Sequence, residues 1–320
     1  ADEIERRRAI YDRWVDVYWR DFIPLAHGIR LFGQFYNDIA RPDDPYEFME
    51  LLASTPMLSD RRNGELERIA SLLRESPDVR VRLERGEPAD SEFERELEGF
   101  QRDFGDTVFA DQQCFGDRAR LVRLLLSLAD VPAAEPASGV DVEGRTEAFI
   151  GSVDIDRREL ARELVDIGRV SYRLRDDDNI HLARLEGLVL AAVEEGRRRL
   201  GEHNGGGLAV ELEDVVRALR HPNLVVEPKP VPQRPSVEPG FRARPRQLVG
   251  QPAGPGVTTA VARVIEDVDD LFEFQAGEVL VCDAVDPNMT FVVPMASAVV
   301  ERRGGMLIHG AIIAREYGLP

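Results

Sequence analysis

The residues best suited to chemistry lie at the C-terminal end, in Gly304-Gly-Met-Leu-Ile-His-Gly-Ala-Ile-Ile-Ala-Arg-Glu-Tyr-Gly-Leu-Pro320. Gly318 suits the left-handed position that follows a helix, and Pro320 cannot continue one. A helix is therefore expected to end near Tyr317, with its first turn at about Leu307–His309. The pair Gly304-Gly305 lets the backbone enter that helix tightly and leaves its first N–H groups free. His309 then sits where the positive end of the helix dipole favours an anion. Its imidazole is neutral over much of the physiological range and is a competent nucleophile. A phosphoryl group attached to it would be stabilised by the same N–H groups and dipole. Spacing alone leaves two readings open, a phosphoryl carrier or a histidine satisfied within the fold. Gly304, Gly305 and Arg315 are the candidates for phosphate stabilisation. Arg315 either contacts phosphate or pairs with Glu316 or Asp286.

The elements that must position this segment divide the chain in two. Apolar residues recur at helical spacing from Ile4 to Phe35, and again in Leu66–Leu73, Phe93–Phe104, Ala119–Leu128, Leu160–Leu174 and Leu182–Leu200. Asp90 and Ser91 form an N-cap signal, whereas Pro42–Pro45 and Val131–Pro136 read as loops. Residues 1–220 are thus expected to form an all-α domain. Seven prolines between Pro222 and Pro245 then favour extended chain. Segment 221–247 reads either as an ordinary connection or as a semi-rigid hinge. Beyond it the pattern becomes β/α: strands over Gly256–Ile265, Glu278–Cys282 and Ser297–Glu301, a short helix capped by Asp267, and a turn at Asp286-Pro287-Asn288.

Forty-one basic residues against 59 acidic give a net charge of −18, which repels phosphate backbones and argues against nucleic acid as a ligand. Lys229 is the single lysine, so arginine supplies nearly every positive charge. Two cysteines, Cys114 and Cys282, are too few for a disulfide framework, and a reducing cytoplasm is the expected compartment. No apolar run approaches a membrane span. His27, His181, His203 and His221 lack metal-ligand spacing, so no metal site is expected from them. The cluster Arg175-Asp176-Asp177-Asp178 reads as a solvated helix end, with Mg²⁺ binding as the functional alternative. Trp14, Tyr18, Trp19 and Phe22 form an aromatic stripe read as core packing, the alternative being an acceptor pocket.

The sequence 304–320 resembles the phosphohistidine signature of the phosphoenolpyruvate-utilising enzymes, in which Gly-Gly and a short spacer precede a histidine on a swivelling domain. The likeness extends over 248–320, through Gly254-x-Gly256-Val and Ala276-Gly-Glu-Val-Leu-Val281. The motifs are most similar to the branch of rifampin phosphotransferase and phosphoenolpyruvate synthase. On that resemblance His309 falls on the phosphorylated histidine. Many members carry Thr and Ser or Cys directly before it, where this chain has Leu307 and Ile308. The departure bears on phosphate stabilisation rather than on the histidine. More weakly, Phe100-Gln-Arg-Asp-Phe-Gly105 and Arg173–Glu186 are similar to helical segments of such proteins.

The resemblance implies an α+β multidomain chain: a helical linker or acceptor domain (1–220), a proline-rich hinge (221–247), and an incomplete β/α phosphohistidine domain (248–320). It implies ATP and Mg²⁺ bound by a partner ATP-grasp domain or subunit, since no glycine-rich nucleotide loop occurs here. The partners expected are that unit and a small-molecule phosphate acceptor, with no membrane; a homo-oligomer is left open. Relatives continue beyond the last helix, so the native protein is expected to extend past Pro320. The expected function is a phosphotransferase component. The alternative is a non-catalytic phosphocarrier or regulatory protein of the same fold.

Overall fold

The computed structural model describes residues 1–52, 57–109, 112–132, 141–200, 208–209, 212–221, 229–230, 249–305 and 308–320. The proline-rich segment lies outside them, apart from His221 and the pair Lys229-Pro230, whose backbone runs antiparallel to Leu208-Ala209. Leu307 and His203 also lie outside.

The first part is helical. Helix Asp2–Val17 passes through a π-helical turn, Tyr18–Phe22, to Gly28–Ala40. Helices Leu58–Glu75, Pro77–Glu84, Ser91–Phe104, Arg118–Asp130 and Val142–Ser152 follow. Asp90 caps Ser91–Phe104 as expected, accepting from the N–H groups of Glu92 and Phe93. The two periodic stretches expected on either side of the acidic cluster are instead one helix, Arg158–Arg199, 42 residues long. It packs along Gly28–Ala40 and Asp2–Val17 and supports the rest of the helical part.

The C-terminal part is α/β. Strands Ala262–Val264, Val279–Cys282 and Ala298–Glu301 form a parallel sheet in chain order. Helix Val268–Phe272 makes one crossover and the 3₁₀ segment Pro287–Met295 the other. The turn expected at Asp286-Pro287-Asn288 is the start of that segment, with the Asp286 carboxylate accepting from the N–H of Asn288 at 2.8 Å. Asp267 caps its short helix through the N–H of Asp270. The first strand is shorter than expected. Residues 256–261 are exposed, and strand propensity without a paired neighbour does not make a strand.

Two cores join the parts. In one, Leu66, Leu73, Phe100, Phe115, Leu121 and Leu125 pack with Phe272, Leu280 and Phe291. The Phe115 and Phe291 rings meet edge to face at 5.0 Å. In the other, Phe32, Phe35, Phe48, Phe149 and Tyr172 enclose Ile312 from the last helix. Aromatic residues of the helical part therefore seat the C-terminal part on both sides of His309. Cys114 and Cys282 are buried free thiols. Among the described residues no helix is long and apolar enough to cross a membrane.

Candidate functional site

The last helix spans His309–Glu316, ends at Tyr317, and is followed by Gly318 at φ 65°. His309 is its first residue, as the sequence predicts. Gly305 has φ 142°, a conformation that L side chains rarely adopt, so a glycine is required where the chain leaves the third strand for this helix. Gly310 has a packing reason: a Cβ there would fall 2.4 Å from the Glu301 carboxyl. That carboxyl accepts from the N–H of Val285, tying the last strand to the loop before the 3₁₀ segment.

Gly304, Gly305, Ile308 and His309 form one wall of a cavity of about 640 Å³. The opposite wall belongs to the helical part: Tyr18, Phe22 and His27, then Arg30, Tyr46, Arg175 and Asp178. The aromatic stripe is thus not core. Tyr18 and Phe22 line the cavity, Trp14 packs against Phe22 and His181, and Trp19 is 67% exposed. The π-helical turn lies at this point of the chain and carries both cavity residues.

The His309 ring is largely enclosed. Its Nε2 is buried without a hydrogen-bond partner and lies 3.7 Å from Oδ1 of Asp176, an atom equally without a partner. Burial, then the charges of Arg175 and Arg62, push the imidazole down to about 3, so it is neutral at physiological pH. Burial also pushes the Asp176 carboxyl up to about 6, and Asp178 likewise to about 6. The solvated helix end expected for this cluster is corrected here. Asp176 is 1% exposed and sits in mid-helix because its carboxylate has an acceptor role across the core. Its Oδ2 accepts from the N–H of Ser59 at 3.0 Å, and Asp177 Oδ1 accepts from Leu58 at 2.8 Å. The long helix thereby caps the start of helix Leu58–Glu75 in place of a local N-cap residue.

Arg62, on that capped helix, is fully buried. Its Nη2 donates to the Pro287 carbonyl at 2.9 Å and to Thr290 Oγ1 at 2.7 Å, both in the 3₁₀ segment of the C-terminal part. The guanidinium lies over the Phe291 ring at 5.6 Å, while Nη1 has no partner. Burial brings Arg62 down to about 10, which leaves it charged at neutral pH.

Arg315 does not line the cavity. Its Nε donates to the Ala253 carbonyl at 2.9 Å and its guanidinium lies 4.4 Å from the centre of the Tyr46 ring. The pairing expected with Glu316 or Asp286 does not form, because the side chain turns to the glycine-led segment beside the last helix. Glu316 instead accepts from the Tyr172 hydroxyl of the helical part. Among the described residues no group of three or more His, Cys, Asp and Glu side chains is placed to hold a metal ion.

Arg62 and Arg30 were not singled out by the sequence, and Asp176 was read only as part of a helix end or a Mg²⁺ cluster. Only tertiary burial or the cavity wall distinguishes these residues.

Residues 274–320 match the model of the family described as PEP-utilising enzyme, mobile domain. Over 71 residues the chain is 44% identical to the phosphoenolpyruvate synthase of Aquifex aeolicus, covering 22% of this chain and 8% of that one. It is 42% identical over 71 residues to the phosphoenolpyruvate synthase of Deinococcus radiodurans, covering 22% and 9%. It is 40% identical over 73 residues to the uncharacterized phosphotransferase YvkC of Bacillus subtilis, covering 23% and 9%. The chain thus spans less than a tenth of the length of these relatives. The family match is confined to residues 274–320, the stretch that holds the last two strands and the His309 helix.

Proposed function

We propose that this chain is a phosphotransferase component in which His309 carries a phosphoryl group to an acceptor held against the helical part. The observation that carries the reading is the placement of His309: it lies in the segment that matches the mobile-domain family, is held neutral, and opens on a cavity walled by the helical part. A neutral imidazole nitrogen has the lone pair that attack on phosphorus requires. In the first half-reaction ATP and Mg²⁺ belong to an ATP-binding domain outside this chain, and a phosphoryl group of ATP bonds to the His309 nitrogen as its P–O bond to the departing nucleotide breaks. In the second, the acceptor forms its bond to phosphorus as the bond from the imidazole nitrogen breaks. Positive groups near the cavity, Arg175 and Arg62, act on the charge passing between them.

Movement between the two sites is assigned to segment 221–247, with 248–320 as the moving unit and 1–220 as the acceptor side. Docking through Arg62, Phe115 and Phe291 is the acceptor-facing pose of that cycle. Enclosure of His309 in this pose shields the phosphoryl group from water.

The test uses the protein together with its ATP-binding domain, incubated with ATP and Mg²⁺. An acid-labile phosphate on the peptide containing His309, absent from His309→Ala, is the expected result. No label on either protein overturns the reading. Labelling of His309 without transfer to any acceptor would instead mark a non-catalytic phosphocarrier.

A further inference from the structure

The helical wall of the cavity carries two arginines, Arg30 and Arg175, and one carboxylate, Asp178, that acts on Arg175 without a direct ion pair. Arg30 and Arg175 both line it, and among the described residues neither guanidinium has a hydrogen-bond or ion-pair partner. Many arginines elsewhere in this acidic chain are matched to carboxylates, as in Arg61–Asp103, Arg74–Glu67 and Arg80–Asp130. Arg175 is half-buried, and both burial and the charge of Arg30 act against it. Asp178 on the same wall accepts from Asn179 at 3.5 Å and forms no ion pair with either arginine. Arg30 is exposed and Arg175 half-buried, and an anion in the cavity offsets the repulsion that Arg30 exerts on Arg175. Beside them Tyr18 and Phe22, with ring centres 6.5 Å apart and nearly parallel, supply an apolar face. Arg175 lines both this cavity and the small one beside it that His309 and Ile312 share.

We infer that the cavity binds an acceptor with an anionic group, carboxylate, sulfonate or phosphate, on an apolar or aromatic body. The anionic group lies on Arg30 and Arg175 and the body rests on Tyr18 and Phe22. The assignment of this ligand as the acceptor rests on the carrier reading of His309; the anion site itself does not. Arg30 gives the acceptor an anchor apart from Arg175 and Arg62, the positive groups assigned to the phosphoryl group.

The probe is a matched pair of fluorescent ligands, anilinonaphthalene sulfonate and the uncharged phenylnaphthylamine, titrated into the full chain. The sulfonate is expected to bind about tenfold tighter, the weight of one charge-assisted hydrogen bond. The preference is expected to weaken as NaCl rises from about 50 mM to about 500 mM. The double variant Arg30→Gln/Arg175→Gln, checked for unchanged circular dichroism, is expected to bind both probes equally, and His309→Ala to keep the preference. Equal binding of the two probes by the unaltered chain overturns the inference, and so does a preference that survives the double substitution. Failure to label His309 with phosphate, with the preference intact, overturns the carrier reading alone.

Discussion

Asp176 Oδ1 faces His309 Nε2 across 3.7 Å, and each of these buried atoms lacks any other partner. The separation is too long for a hydrogen bond. Burial keeps the imidazole neutral and raises the carboxyl, so the two groups do not form an ion pair. The contact joins the helical part to the C-terminal part.

The pair sets a pH dependence with two opposed components. The folded-state value of His309 lies below its ordinary 6.5, so the unfolded chain takes up a proton that the folded one refuses, and stability is lost as pH falls from about 6.5. The value of Asp176 is raised from 3.8 to about 6, so its stability contribution is lost as pH rises through that window. Asp176→Asn is expected to make the protein more acid-labile. His309→Gln is expected to gain stability as pH falls from 7 to 4, because the raised carboxyls of Asp176, Asp178 and Glu316 then act without the opposing imidazole. Urea midpoints at three pH values check both; parallel curves for the two variants contradict the pairing.

His309 is expected to remain unprotonated throughout the neutral range. Imidazole ¹⁵N shifts should show no His309 titration between pH 5 and pH 8, in contrast to an unperturbed histidine at about 6.5. A titration midpoint above pH 5 would show that the docked, desolvated arrangement is not the one populated in solution.

Arg62→Met keeps volume but removes the donors to Pro287 and Thr290. Losing these two buried charge-assisted hydrogen bonds should cost about 2–4 kcal/mol. The loss should appear as faster amide exchange in residues 287–295, with the helices of the first part less affected. Uniform loss of protection would assign Arg62 to the helical fold instead of to docking.

Asp177→Ala removes the acceptor for the Leu58 N–H, an N-cap supplied from another helix. A loss of about 1 kcal/mol is expected in chemical denaturation. Asp177→Asn, which retains the acceptor, should lose less.

Gly187→Ala tests how closely the long helix approaches its neighbour. A Cβ at this position would lie 1.9 Å from the Asp106 carbonyl oxygen, a backbone atom that cannot move aside alone. Destabilisation of about 2–4 kcal/mol is expected from thermal unfolding, larger than an ordinary surface change.

Local patterns determined a good deal of this protein. Helical periodicity, the Asp90 and Asp267 caps, two of the three parallel strands and the bounds of the last helix all follow from neighbours within a few residues. So does the position of His309 at the start of that helix after a glycine with positive φ. Tertiary structure alone decided the rest. Asp176 and Asp177 read as solvated because their partners, the N–H groups of Ser59 and Leu58, lie more than a hundred residues away. Arg62 is equally unremarkable until the C-terminal part closes over it. Tyr18 and Phe22 carry the same apolar signature whether they face a core or a cavity. Burial, unpaired charge and cavity walls are properties of distant segments brought together, and no local pattern encodes them.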